Sequence, residues 1–286
     1  MQPLIKAFHD PGTSTMSYVV ACPATRKAAI IDPVLDYEWR AARTATASAD
    51  AILAFCAAEG LAVDWILETH VHADHLSAGG YLKDRTKARL AIGEHVAGVQ
   101  RTWTTIFGVV DAVPADGRQF DHRFRDGERF AIGALEARVM HTPGHTPACV
   151  SYVVGGAAWI GDTLFMPDYG SARCDFPGGD AATLYRTIRR LYELPGSMRL
   201  HVCHDYKPGG RALAWEATVD EHRRANVHVH DGVDEAAFVA MRISRDKTLA
   251  PPDLLLPAVQ VNIRGGRLPA PEADGVRYLR LPLDRV

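Results

Sequence analysis

A strand-forming run, Val63 to Thr69 (V-D-W-I-L-E-T), leads without a linker into His70-Val-His72-Ala-Asp74-His75. Strand side chains alternate between faces, so His70 and His72 can project to one side. Asp74 and His75 follow at once in the turn. Such closely spaced imidazole and carboxylate groups can converge on one or two metal ions without a large fold-level arrangement. The plainer alternative is a solvated strand-to-helix turn with Asp74 as its capping residue. Either way, the chain must present a strand end at an accessible edge.

Further segments have the same form. Thr142-Pro-Gly-His145-Thr-Pro puts a histidine in a tight turn, Trp159-Ile-Gly-Asp162-Thr an aspartate just past an apolar strand, and His201-Val-Cys-His204-Asp205 a histidine at a strand end. Each alone reads as a cap or a turn. Together they place one site at one edge of a sheet sandwich.

The rest of the chain is consistent with an α/β protein. Ser17–Cys22 and Ala28–Asp32 read as paired strands. A helix capped by Ser48 carries Ile52, Leu53, Phe55 and Cys56 up to Gly60, and Ser77–Lys83 is helical. Residues 101–128 read as a polar surface insertion, and Arg129–Phe165 as strands. Asp180 caps a helix with Leu184, Ile188 and Leu191 on one face. Met198–Cys203 is a strand, Ala214–Ala225 is mostly helical, and the Pro-rich tail from Ala250 keeps one strand-like run, Ala258–Ile263.

Composition excludes several classes. The 286 residues are 47% hydrophobic and 23% charged, with a formal net charge of −2. That balance argues against a nucleic-acid or anionic-membrane footprint. The longest uncharged run, Thr142 to Gly161, contains His145 and two prolines and cannot be a membrane span. Lys6, His9 and Asp10 occupy the place of a signal peptide's apolar region. The cysteines (Cys22, Cys56, Cys149, Cys174, Cys203) are odd in number and form no C-x-x-C pair, a reduced-compartment pattern. A bacterial cytosolic location is expected; a homodimer is left open. His228-Val-His230 lacks a third ligand and reads as a surface strand.

The string H-x-H-x-D-H, His, Asp, His over residues 70–204 resembles the metallo-β-lactamase superfamily. The resemblance implies an αββα sandwich, two mixed sheets flanked by helices, as one domain over 1–286 with a helical and strand extension from about 212. Gly170-Ser-Ala-Arg173-Cys-Asp175-Phe176, Ile31-Asp32-Pro33-Val34, Cys203-His204-Asp205-Tyr206 and the tail from Val259 to Pro269 are similar to the persulfide dioxygenase family, bacterial type.

By residue type alone, zinc and iron are equally suited to these ligands. His70, His72, Asp74, His75, His145, Asp162 and His204 could hold two zinc ions bridged by Asp162, as in a glutathione-thioester hydrolase of the glyoxalase II kind. The dioxygenase resemblance implies instead one Fe(II) on His70, His145 and Asp162, with His72, Asp74, His75 and His204 orienting them. Its substrates would be O2 and glutathione persulfide, its products sulfite and glutathione. Arg173 and Tyr206 are the expected substrate contacts, Arg173 as a bidentate carboxylate clamp; an ion pair with Asp175 is its structural alternative. Cys174 and Cys203 read as small buried hydrophobes rather than catalytic thiols.

Overall fold

The computed structural model describes residues 1–285. The strands are β1 (Leu4–Asp10), β2 (Thr15–Ala21), β3 (Lys27–Ile31), β4 (Val34–Glu38), β5 (Arg43–Ala45), β6 (Ala62–Leu67), β7 (Leu76–Ser77), β8 (Arg89–Gly93), β9 (His122–Phe124), β10 (Arg129–Ile132), β11 (Leu135–His141), β12 (Val150–Val154), β13 (Ala157–Trp159), β14 (Arg199–His201) and β15 (Glu216–Thr218). The helices are α1 (Ala47–Ala58), α2 (Gly79–Thr86), α3 (Val96–Phe107), α4 (Ala181–Leu191), α5 (Val219–Ala225), α6 (Glu235–Asp246) and α7 (Leu255–Asn262).

Two six-stranded sheets face each other, ordered β1-β2-β3-β6-β8-β9 and β10-β11-β12-β13-β14-β15. Both are mixed: β3, β6, β8 and β9 pair in parallel, as do β13 and β14, and the other pairs are antiparallel. Strands buried on both faces need continuous apolar sequence, which V-V-A of β2 and A-A-I-I of β3 supply. Tyr18, Ile31, Leu67, Val139, Tyr152 and Trp159 fill the space between the sheets. Ile52, Leu82, Val99, Trp103 and Val259 bring α1, α2, α3 and α7 onto the outer face of the first sheet. Leu184, Ile188, Val219 and Phe238 do the same for α4, α5 and α6 on the second. The result is the expected αββα arrangement. Emptying one such site, as in Phe238→Ala, would cost about 3–5 kcal/mol.

Several local expectations are corrected. Residues 101–128 are not a surface insertion. Val96, Val99, Gln100, Trp103, Thr104 and Phe107 recur at helical spacing and are buried along α3, while Val113 and Phe120 enter the core beyond it. The expected strand at Ala258–Ile263 is helix α7, buried on every side from Ala258 to Asn262, and Pro257 is tolerated in the first turn, where amides have no intrahelical partner. Helix α1 begins after Thr46, so Ser48 lies inside it and bonds Asp36. Ser77 belongs to β7, and α2 starts at Gly79. Ala214–Ala225 divides into β15 and α5, joined by a Thr218–Glu221 capping box. Asp180 caps α4 as expected, accepting from Thr183 N.

His228-Val-His230 is a turn rather than a strand, and His228 Nδ1 accepts the Ser171 amide at 3.0 Å. His222 Nδ1 likewise accepts from Asn226 Nδ2 at 3.2 Å. Each ring must be neutral to accept there. Burial holds His222 down from the ordinary 6.5 to about 4, and burial, then Arg242 and Arg245, hold His228 at about 4. Above pH 6.5 both rings are neutral, folded or unfolded. Below it, only the unfolded chain gains their protons, so stability falls as pH drops from 6.5 toward 4. For fully buried His222 the slope is about 1.4 kcal/mol per pH unit; half-buried His228 adds less. Urea unfolding between about pH 8 and about pH 5 should show this loss, and His222→Gln should flatten the curve. An unchanged slope in that variant would refute the assignment.

Candidate metal centre

The candidate ligands all lie where strands run out at one edge of the sandwich. His70 follows β6, His72, Asp74 and His75 form the loop before β7, His145 follows β11, Asp162 follows β13, and His204 follows β14. The two sheets are tied at this edge by Met16 N donating to Cys203 O at 2.7 Å. The turn that presents His145 requires glycine: Gly144 has φ +136°, and a Cβ there would collide with the Leu184 backbone in α4.

Asp162 is the hub. Its Oδ2 lies 3.8 Å from His70 Nε2 and 3.7 Å from His145 Nε2. Its Oδ1 lies 3.4 Å from His204 Nε2, which is 3.1 Å from Asp74 Oδ2. His70, His145 and Asp162 form one set whose donor atoms lie within 4.8 Å of one another. His72 belongs to other sets, with Asp74 and His75 and with Asp32 and Glu68, while His204 groups with Asp162 and Cys203.

Hydrogen bonds behind the ligands decide which ring nitrogens face the site. His145 Nδ1 lies 2.8 Å from the Arg173 carbonyl, which can only accept, so Nδ1 carries the proton and Nε2 offers its lone pair. Thr69 donates its hydroxyl hydrogen to Asp32 Oδ2 at 2.8 Å. Its oxygen, 3.0 Å from His70 Nδ1, therefore accepts from that ring and leaves His70 Nε2 bare. Burial, then neighbouring imidazoles, keep His70 neutral, well below its usual range. Burial also opposes charging of His72 and His204. The charge of Asp32, whose Oδ1 lies 2.9 Å from His72 Nε2, outweighs it at His72, and Asp74 and Asp162 outweigh it at His204, so both are held well above the usual range.

Buried His70 Nε2, His72 Nδ1, His75 Nε2, His204 Nε2 and Asp162 Oδ1 have no hydrogen-bond partner. Unpaired polar atoms inside a protein are costly and uncommon. Their convergence, and the Nδ1–H tautomer that leaves His70 Nε2 bare, fit a divalent metal ion. The donor set of nitrogen and carboxylate oxygen suits zinc or iron.

Three supporting residues escaped the sequence reading. Asp32 accepts from His72 Nε2 at 2.9 Å and from Thr69 N at 2.7 Å. Glu68 Oε2 lies 3.4 Å from the same His72 nitrogen. Asn262, from α7, bonds the backbone of the 72–77 loop. Asp32 carried a signal: it is the one charged residue closing the apolar run A-A-I-I-D.

A cavity of about 790 Å³ opens over the site, with His145, Asp162, Phe176, Arg173 and Tyr206 in its wall. Tyr206 lies over His204 with ring centroids 5.7 Å apart. The Arg173 fork is engaged within the protein: Nε and Nη2 each reach Asp175 at 2.6 Å, and Nη1 donates to Ala250 O at 2.7 Å. That is the ion-pair alternative. Cys174 and Cys203 are buried, and burial pushes both thiols up, so neither is poised as a nucleophile. His9, His95, His122, His141, His201 and His222 belong to none of the ligand sets formed by the described residues.

Comparison with known proteins agrees with this geometry. The family model of the metallo-beta-lactamase superfamily matches residues 10–204. The chain is 54% identical to "Probable metallo-hydrolase" of Burkholderia pseudomallei, covering 99% of each chain. It is 46% identical to "Glyoxylase B2" of Dictyostelium discoideum over 98% of this chain and 97% of that protein. It spans only 65% of the "Beta-lactamase hydrolase-like protein" of Xylella fastidiosa, at 52% identity. Human mitochondrial persulfide dioxygenase ETHE1 is 31% identical over 92% of this chain and 89% of its own length. The crystal structure of ETHE1 from Myxococcus xanthus superposes with a TM-score of 0.74 at 29% identity, over 92% of this chain and all of that one. Among the described residues no helix is long and apolar enough to cross a membrane. By family match, fold and buried histidine–aspartate centre, this chain belongs to the metallo-beta-lactamase superfamily.

Proposed function

We propose that the chain is a single-iron dioxygenase that oxidises glutathione persulfide with O2 to sulfite and glutathione, water supplying sulfite's third oxygen. The observation that carries this reading is the convergence of His70, His145 and Asp162 as one two-histidine, one-carboxylate set, although Asp162 also groups with His204. Likeness to persulfide dioxygenases over nine-tenths of the chain supports it. A ferrous ion held by His70, His145 and Asp162 would supply the redox chemistry by which O2 oxidises a sulfur substrate.

The chain's own residues would prepare that chemistry. Thr69 and the Arg173 carbonyl hold His70 and His145 in the tautomer that presents Nε2. Phe165, Tyr169 and Tyr206 form an aromatic wall, with ring centroids 4.6 Å apart between Tyr169 and Tyr206 and 5.4 Å between Phe165 and Tyr206. Tyr206, 40% exposed in the cavity wall, keeps its hydroxyl proton at neutral pH as phenols do and can donate it to an anionic sulfur. Arg173 would meet a substrate carboxylate only by exchanging it for Asp175.

The second reading is a binuclear zinc hydrolase of glutathione thioesters. Asp162 favours it by directing one oxygen to His70 and His145 and the other to His204. The names of the more similar relatives, a metallo-hydrolase and a glyoxylase, also favour it over the dioxygenase. Reaction and metal content separate the two readings. Purified without oxygen, the protein is expected to hold about one iron per chain and to consume O2 when given glutathione persulfide. About two zinc ions per chain with hydrolysis of a glutathione thioester would overturn the proposal.

Ligand variants give an independent check. His70→Ala, His145→Ala and Asp162→Ala should each lose metal and activity while keeping the far-ultraviolet circular dichroism of the folded chain. His72→Ala and His204→Ala should retain substantial iron and lose activity or affinity by about 10- to 100-fold. Complete metal loss from both of the latter would point to the binuclear site.

A further inference from the structure

Two helices beyond residue 212 reach the metal-bearing loops with buried polar side chains that the site described above does not need as ligands. Arg242 and Asp246 lie one turn apart on α6, 1% and 6% exposed. Arg242 Nε donates to Asp246 Oδ1 at 2.8 Å, and the pair's remaining bonds go to one segment. Arg242 Nη1 donates to Ser171 O at 3.0 Å, and Asp246 Oδ2 accepts from Cys174 N at 2.9 Å. Between those two anchors lies Arg173, whose carbonyl orients His145. A buried ion pair is often no more stabilising than a well-packed apolar pair, so packing alone does not account for it.

From the other side comes Asn262 of α7, 4% exposed. Its Nδ2 donates to His72 O and His75 O, each at 2.8 Å, and its Oδ1 accepts from Ser77 N at 2.7 Å. One side chain thus fastens the backbone of the loop that carries His72, Asp74 and His75. The turn after α7 is close enough that a Cβ on Gly80 would come within 3.0 Å of Gly266 O.

We propose that Asp246 and Asn262 are positioning residues of the metal centre: the C-terminal helices hold both ligand loops in register and so set how tightly the ion is retained. This rests on the metal centre alone and is independent of whether the reaction is oxidation or hydrolysis.

The test is metal retention by the as-purified, metal-loaded protein against a graded series of chelator concentrations, beside melting curves of loaded and stripped protein. Arg242→Met with Asp246→Leu removes the clamp while keeping the volume apolar and free of unpaired charge. Asn262→Ala removes the second anchor. Both variants should release metal at chelator concentrations about 10- to 100-fold lower than wild type, with a smaller rise in Tm on loading. Asp246→Asn can accept from only one of Arg242 and Cys174 N and leaves the buried guanidinium without its charge partner, so it should also release metal at lower chelator concentrations than wild type. Variants that melt lower yet hold metal like wild type would overturn the proposal and leave the contacts structural. Should the double variant not fold, Asn262→Ala decides on the same readout: metal released at lower chelator concentrations is the expected result, and wild-type retention overturns the proposal.

Discussion

Burying His70, His145 and His204 against Asp162, with His72 and His75 beside them, removes water from groups whose own hydrogen bonds cannot replace it. Each ring can spend one nitrogen on a partner behind it, and the other is left facing its neighbours. Such an arrangement is tolerable only where a cation balances converging lone pairs and carboxylate charge. The rest of the molecule follows from this. The rings must be held rigidly, in one tautomer, at a place that a substrate can reach.

The sandwich meets that demand through strand ends. A strand inside a sheet is over-determined by ladder bonds and by packing on both faces, so the residue just past it inherits a fixed position. β6, β11, β13 and β14 all terminate at the same edge, and each delivers a ligand there. Loops would be too mobile for this alone, and they are braced: Asp32 holds Thr69 and His72, the Arg173 carbonyl holds His145, and Asn262 holds the 72–77 backbone. Several of these braces come from far along the chain, which makes the C-terminal region part of the centre rather than an appendage.

The same economy explains the cavity. Ligands at a sheet edge leave one side open, and the chain walls it with Phe165, Tyr169, Phe176 and Tyr206. Arginine guanidinium groups in the wall are partly neutralised by internal carboxylates, Arg173 by Asp175 and Arg242 by Asp246. Substrate charge would have to compete with those pairs, so selectivity here is an exchange of partners as much as an attraction.

Much of this was legible in the sequence, and the boundary has a physical cause. Local order along the chain determined the ligand types, their placement after apolar strands, the helix capped by Asp180 and the paired strands at the start, because strand alternation and capping act over a few residues. Helix α3 was legible too, but only in a window opened at Val96; starting at Arg101 divides its buried stripe of Val96, Val99, Trp103 and Phe107. Tertiary structure alone decided the rest. Val259 and Val261 favour strand by themselves, and burial of Ala258–Asn262 on every side, where only a helix satisfies its own backbone, made them helix. Asp246 and Asn262 look like ordinary polar residues in the sequence. Their roles come from contacts across dozens to nearly two hundred positions, as with Asn262 and His72 at a separation of 190. Which donors share an ion is likewise a matter of ångströms between segments joined only by folding, and no pattern along the chain encodes that distance.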